Sequence, residues 1–146
     1  YRYAWAAGFL DGEGCFFLSQ RGENELTCCP GITVTQVDRR PLDELAILFQ
    51  CGVVRSQGHT SAGKQKWQWV VTRAADVVIV IDKILPFLVL KEDEARALRS
   101  FCRLVHRGRK NPHCTGTGMK GYKYGGMEAA RRRVAIRDFR KARQAR

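Results

Sequence analysis

Asp11 and Glu13 stand two residues apart, each followed by a glycine, at the end of the short helical stretch Trp5–Gly14. The C-terminal end of a helix carries partial negative charge, so carboxylates there are electrostatically disfavoured. A helix stop accounts for Gly12 and Gly14, which supply the backbone freedom to end the helix and turn into a strand. It leaves both acids unexplained. A bound cation reverses the local electrostatics and favours both; solvated surface carboxylates are the plainer alternative.

The helix itself has two ridges. Ala4, Gly8 and Gly12 recur every four residues and leave one face nearly bare, while Trp5 and Phe9 form a bulky apolar row. The aromatic row is expected to anchor the helix in a core. The bare face lets another helix backbone approach closely, so a second copy is expected to pack there through Ala4, Ala7 and Gly8.

After Gly14 the periodicity changes to two. Cys15–Arg21 and Cys29–Gln36 read as a hairpin across Arg21–Asn24, with Phe16, Leu18, Ile32 and Val34 facing inward. A helix follows, capped by Asp38 or Arg40, with Pro41 in its first turn, and Cys51-Gly52 ends it. Val53–His59 and Gln65–Arg73 form a second hairpin, followed by an apolar helix Ala74–Leu85 and an amphipathic one, Lys91–His106. The order is α-β-β-α-β-β-α-α, an α+β domain with a four-stranded antiparallel sheet. Its boundary is expected near residue 107. Residues 108–146 then form a glycine-rich basic arm and a last helix, Met127–Arg143, in the same binding unit.

Charge says what that unit binds. The chain of 146 residues carries a formal charge of +12, and all of the excess lies beyond residue 102. Such asymmetry suits a polyanion. No apolar stretch of membrane-spanning length, signal-peptide pattern or lipid-anchor motif accompanies it, so an intracellular chain binding nucleic acid, with no membrane partner, is expected. The chain opens directly on its first helix, which leaves room for a natural leader before Tyr1. The outward face of the sheet is expected to carry Ser19, Arg21, Thr33, Arg55, Gln57, Lys66 and Gln68, with no acid among them. A solvated face normally mixes both signs. Arginine to guanine and glutamine to adenine are bidentate pairings in a major groove, which a β-ribbon fits. Arg109, Lys110, Lys120 and Lys123, interleaved with tyrosines, suit contacts along a phosphate backbone. The six cysteines read as thiols rather than disulfides. Cys102, His106, His113 and Cys114 could hold zinc, but their spacing is irregular.

Ala6-Ala7-Gly8-Phe9-Leu10-Asp11-Gly12-Glu13-Gly14 resembles the signature of the LAGLIDADG homing endonucleases, with Ala6 in place of the leading leucine. The resemblance covers residues 1 to about 107 and is closest to the single-motif members, which work as homodimers. Val34-Thr35-Gln36-Val37-Asp38-Arg39-Arg40-Pro41 resembles the family's second strand running into its second helix, and Leu85–Lys91 its proline-to-lysine segment. The resemblance implies a site-specific endonuclease cutting double-stranded DNA at a long, roughly palindromic target with Mg2+ or Mn2+. Glu13 is then the metal-binding acid, with the Gly12 carbonyl beside it. Lys91, Gln36 and Arg40 serve catalysis, and Asp11 is the motif's first acid. A maturase that binds its own intron RNA and a cleavage-inactive DNA-binding protein are the alternatives. Glu13 departs from the commoner aspartate by one methylene.

Overall fold

A computed structural model describes residues 1–20, 22–23, 26–108 and 126–145, with side chains at 106–108 excluded. Five helices and four strands follow the expected order: α1 (Arg2–Glu13), β1 (Gly14–Gln20), β2 (Cys28–Gln36), α2 (Arg40–Phe49), β3 (Val53–His59), β4 (Gln65–Val71), α3 (Ala74–Ile84), α4 (Glu92–Gly108) and α5 (Gly126–Gln144). A single 3-10 turn, Leu85–Phe87, precedes α4, with Pro86 at its start. The strands form one antiparallel sheet in the order β1-β2-β4-β3. The fold is α+β, as expected.

One face of the sheet is covered by helices. Phe16, Ile32, Val34, Trp69 and Val71 pack there against Leu10 of α1, Leu42 and Leu45 of α2, Val77, Val80, Ile81 and Ile84 of α3, and Leu98 of α4. The period-two alternation of the strands and the 3.6-residue stripe of the helices meet in this one core. Trp69 is its largest fully buried side chain. Its indole N–H donates to the Cys51 carbonyl at 3.2 Å. Gly52 adopts φ +82°, and a Cβ there would lie 2.4 Å from Trp69 Nε1. The turn after α2 therefore needs glycine both for its backbone and for the tryptophan.

Antiparallel pairing aligns the opposite face. Cys15, Thr33, Val70 and Val53 form one cross-strand row, and Thr35, Gln68 and Arg55 the next. Gly31 sits opposite Phe17, whose ring lies across it: a Cβ at Gly31 would meet Phe17 Cζ at 2.2 Å. The pairing of β3 with β4 is irregular between Ser56 and His59, where Gly58 has φ +86°.

Three expectations need correction. Trp5 does not anchor α1: it is exposed and stacks on Phe9, with centroids 5.7 Å apart, while Ala6, Ala7 and Leu10 enter the core. Ala7 is fully buried in its own protomer, so it cannot face a second copy. Gly14 is needed for space rather than for conformational freedom. Its backbone is extended at φ −77°, but a Cβ would lie 2.6 Å from the Leu10 carbonyl oxygen. Gly12 lies inside the helix with open space around it.

The last helix is an integral part of this fold. α5 packs along α4, burying Ala135 and Ile136 against Phe101, Leu26 and Leu18, while Phe139 joins the main core. Arg132 is buried beside its ion-pair partner Glu128, at 3.0 Å. The core thus extends past residue 107 into a segment that composition alone marks as an arm.

Candidate active site and nucleic-acid interface

The end of α1 meets the segment that enters α4. The two are tied together by Asp11. One carboxylate oxygen accepts the backbone N–H groups of Val89 at 2.7 Å and Leu90 at 3.2 Å; the other accepts that of Lys91 at 3.0 Å. These donors lie at and just before the start of α4, where backbone N–H groups lack helical partners and positive partial charge collects. Asp11 is only 8 % exposed. Its position is accounted for by these three donors.

Lys91 reciprocates. Its ammonium, 4 % exposed, donates to the carbonyls of Leu10 at 2.8 Å and Asp11 at 2.5 Å, among the last carbonyls of α1. A cation thus sits on the negative end of that helix. Lys91 is also the residue from which α4 starts, since Ala95 N–H donates to its carbonyl at 2.9 Å. Sequence positions 11 and 91 are in this way interlocked, main chain to side chain in both directions.

Glu13 remains as the exposed acid at this helix end. Among the described residues its carboxylate makes no hydrogen bond or ion pair. Gly12 is exposed beside it, and no described atom lies within 4 Å of where its Cβ would be. Among the described residues no group of three potential metal ligands gathers anywhere. One protomer therefore offers a single free carboxylate and nearby backbone oxygens to a cation, half or less of a hard-cation shell. Oxygen donors of this kind fit magnesium or manganese.

The bare ridge leads to this point. Ala4, Gly8 and Gly12 are exposed along one side of α1, flanked by Trp5. Among the described residues, a Cβ added at Gly8 would meet nothing within 4 Å.

The other expected active-site residues lie at the β2–α2 junction. Gln36 ends β2 opposite Trp67. Arg40, with an almost fully exposed side chain, pairs with Asp38 at 2.5 Å. Asp38 also accepts the Arg40 backbone N–H at 3.0 Å, giving α2 its capping interaction from just outside the helix. The side-chain hydrogen bond from Arg40, with its backbone N–H and charge, holds the Asp38 carboxyl down at about 2; the same pair raises Arg40. Arg39 next to it stacks over the Trp67 ring at 4.7 Å.

On the open sheet face, Ser19, Arg55 and Gln57 are exposed; Thr33, Lys66 and Gln68 are half-buried. Some already have partners. Arg55 donates twice to the Gln68 side-chain oxygen, at 3.0 and 2.9 Å, and Thr33 donates to the Trp69 carbonyl at 3.2 Å. The Arg55–Gln68 pair is a preformed cross-strand fork, polar on a face free of acids. Arg21, Arg109, Lys110, Lys120 and Lys123 lie outside the described residues, as do His113, Cys114 and the His106 side chain of the zinc candidate. Cys102, the remaining zinc candidate, is buried in the core, and burial pushes its thiol up to about 12.

Sequence reasoning gives the metal to Glu13 but does not find the backbone clamp at Asp11, nor does it place α5 in the core. The interlock between Asp11 and Lys91 has no local sequence signal, because its halves are eighty residues apart. The burial of α5 had one: Ala135, Ile136 and Phe139 share a helical face amid the arginines.

The LAGLIDADG endonuclease family profile matches residues 6–99, and the chain belongs to that family. Solved structures agree in fold. The homing endonuclease I-CvuI, in complex with its target, is 20 % identical, with a TM-score of 0.60 over 94 % of each chain. The archaeal intron-encoded homing endonuclease I-Vdi141I, complexed with DNA, is 16 % identical, with a TM-score of 0.63 over 98 % of this chain and 97 % of that one. I-GzeII, in complex with its DNA target, gives a TM-score of 0.65 at 15 % identity; 98 % of this chain is covered, but only 43 % of that one. No curated protein matches the chain significantly.

Proposed function

We propose that this chain is a homodimeric, metal-dependent endonuclease that cuts both strands of a long, roughly palindromic DNA site. The observation that carries this reading is Glu13: an exposed carboxylate with no partner among the described residues, at a helix end that disfavours it, next to a ridge bare enough for a second helix. Two copies of α1 packed through Ala4, Gly8 and Gly12 bring both Glu13 side chains to one place. Like charges so close require cations between them. The likeness to I-Vdi141I along the whole of both chains, and to less than half of I-GzeII, supports a chain that supplies one half of a nuclease.

In this reading Glu13 and the Gly12 carbonyl hold a divalent cation, which when bound supplies Lewis-acid activation of water and neutralises charge on the scissile phosphate. Lys91 holds positive charge at the same helix end and favours the dianionic character of the transition state. Asp11 fixes the backbone from which Lys91 projects. Gln36 and Arg40 orient solvent and phosphate from the β2–α2 junction, Arg40 exchanging Asp38 for a phosphate oxygen. Ser19, Thr33, Arg55, Gln57, Lys66 and Gln68 face the major groove, with Arg21, Arg109, Lys110, Lys120 and Lys123 contacting DNA around them.

The test is selection of cleaved sites from a randomised DNA library with magnesium, repeated with calcium. Cleavage at one long sequence in magnesium, lost in Glu13→Gln while the selected site is still bound, is the expected result. Cleavage that survives Glu13→Gln or excess EDTA would sink the assignment.

A further inference from the structure

The outer side of α5 carries a dense field of positive charge that the catalytic and sheet surfaces do not use. Arg133, Arg137, Arg140 and Lys141 surround a groove of about 540 Å³ whose floor is Leu26 and Ile136. All four cations are exposed. Among the described residues, only Arg137 has an acid partner, Asp138 at 3.5 Å. A solvated helix face normally intersperses both signs; this one leaves uncompensated charge in one place.

The groove adjoins the edge of the sheet. β1 is an outer strand, and its Leu18 and Gln20, with Cys28 of the paired β2, line a second hollow together with Arg140 and Arg143. Ser19, the neighbour of Gln20 along the strand, points to the open face. Arg143 crosses that edge: its guanidinium donates to Cys15 Sγ at 3.9 Å, and Cys15 belongs to the open-face row. Arg143 thus links the α5 groove to the edge of the face proposed to read DNA.

We propose that this side of α5 is a second, sequence-independent DNA-binding surface, which holds the phosphate backbone of the duplex flanking the segment read by the sheet. Planar guanidinium forks match phosphate oxygens bidentately, and among the described residues lining the groove four are cations against one amide, Gln144, a balance that favours phosphate over base edges. The inference rests on the sheet being the DNA-reading face. It adds to that reading a clamp on the outside of the edge strand.

The test uses the full chain with Arg133→Gln, Arg140→Gln and Lys141→Gln combined, measured by fluorescence anisotropy against the selected target and an unrelated duplex across a salt series. The three side chains are exposed, so thermal melting is expected to be unchanged. Both affinities should fall together, by roughly tenfold or more, and the slope of log affinity against log salt should flatten by about 2.7 for three lost phosphate contacts. Unchanged affinity and slope would overturn the proposal, as would a loss confined to the target sequence or to an RNA duplex. Gln68→Ala is the parallel arm: loss of target preference there, beside a silent triple variant, removes the clamp and keeps the sheet reading. If neither variant changes DNA binding, both readings fail.

Discussion

At the end of α1, two opposite charges exchange hydrogen bonds with each other's backbones, and the chemistry of Lys91 follows from that. Its ammonium satisfies carbonyls of Leu10 and Asp11, so Lys91→Met removes structure as well as charge. The Leu10 carbonyl keeps the Gly14 N–H as a donor, so the loss is that of hydrogen bonds from a charged donor, about 1.5–3 kcal/mol each. We expect Lys91→Met to lower the melting temperature and to depress the cleavage rate far more than DNA affinity, since its charge acts mainly on the transition state. Equal losses in rate and affinity would mark it as a plain backbone contact. Asp11→Asn tests the other half. An amide can keep one acceptor position but must present N–H groups to the other, so at least one of the three bonds to Val89, Leu90 and Lys91 is lost. Denaturant unfolding should show a destabilisation of about 1–3 kcal/mol. A full loss of metal-dependent cutting with unchanged stability would instead make Asp11 a metal ligand. The motif itself and the oddity of two acids at a helix end were legible in the sequence. Their division into one backbone clamp and one free carboxylate was not, because the clamp's donors come from residues 89–91.

The strands and helices α2, α3 and α4 are where sequence and structure agree most closely, because alternating and 3.6-residue patterns there have a single core to serve. The face carrying Arg55 and Gln68 follows from counting by twos along β3 and β4. α1 and α5 were harder, for opposite reasons. In α1 an aromatic pair reads as core, yet the small residues Ala6 and Ala7 are the buried ones and Trp5 stays outside. Close approach of α1 to the neighbouring helices needs small side chains, so size outweighed hydrophobicity. In α5 the arginines mask a narrow apolar stripe, and mean composition hides it. The packing of α4 gives a check at this scale. Cys102 is buried on α4 with its thiol raised to about 12, whereas Cys15, Cys28, Cys29 and Cys51 are half-buried. A thiol needs its thiolate to react, so alkylation of the native protein at pH 8 should spare Cys102 until the protein unfolds. Cys102 labelling at the rate of the half-buried thiols would contradict the packing described for α4.

At the scale of the whole molecule, the proposed nuclease calls for two protomers: each brings one four-stranded sheet and one Glu13, and among the described residues no cluster of three metal-ligating side chains gathers in one. Cutting both strands takes two such sites, or one site that rebinds in the opposite orientation; a symmetric pair supplies two with one self-complementary contact. The exposed ridge of α1 makes the idea testable without disturbing the protomer. A Cβ at Gly8 meets no described atom of its own chain, so Gly8→Leu should fold normally and fail only where a second helix must approach. Analytical ultracentrifugation with and without a target duplex is the direct measurement. The account predicts two protomers on each duplex for the native chain, and disrupted pairing with lost double-strand cleavage for Gly8→Leu. A strictly one-to-one complex that still cuts both strands in a single encounter would contradict the dimer, and with it the paired-carboxylate site.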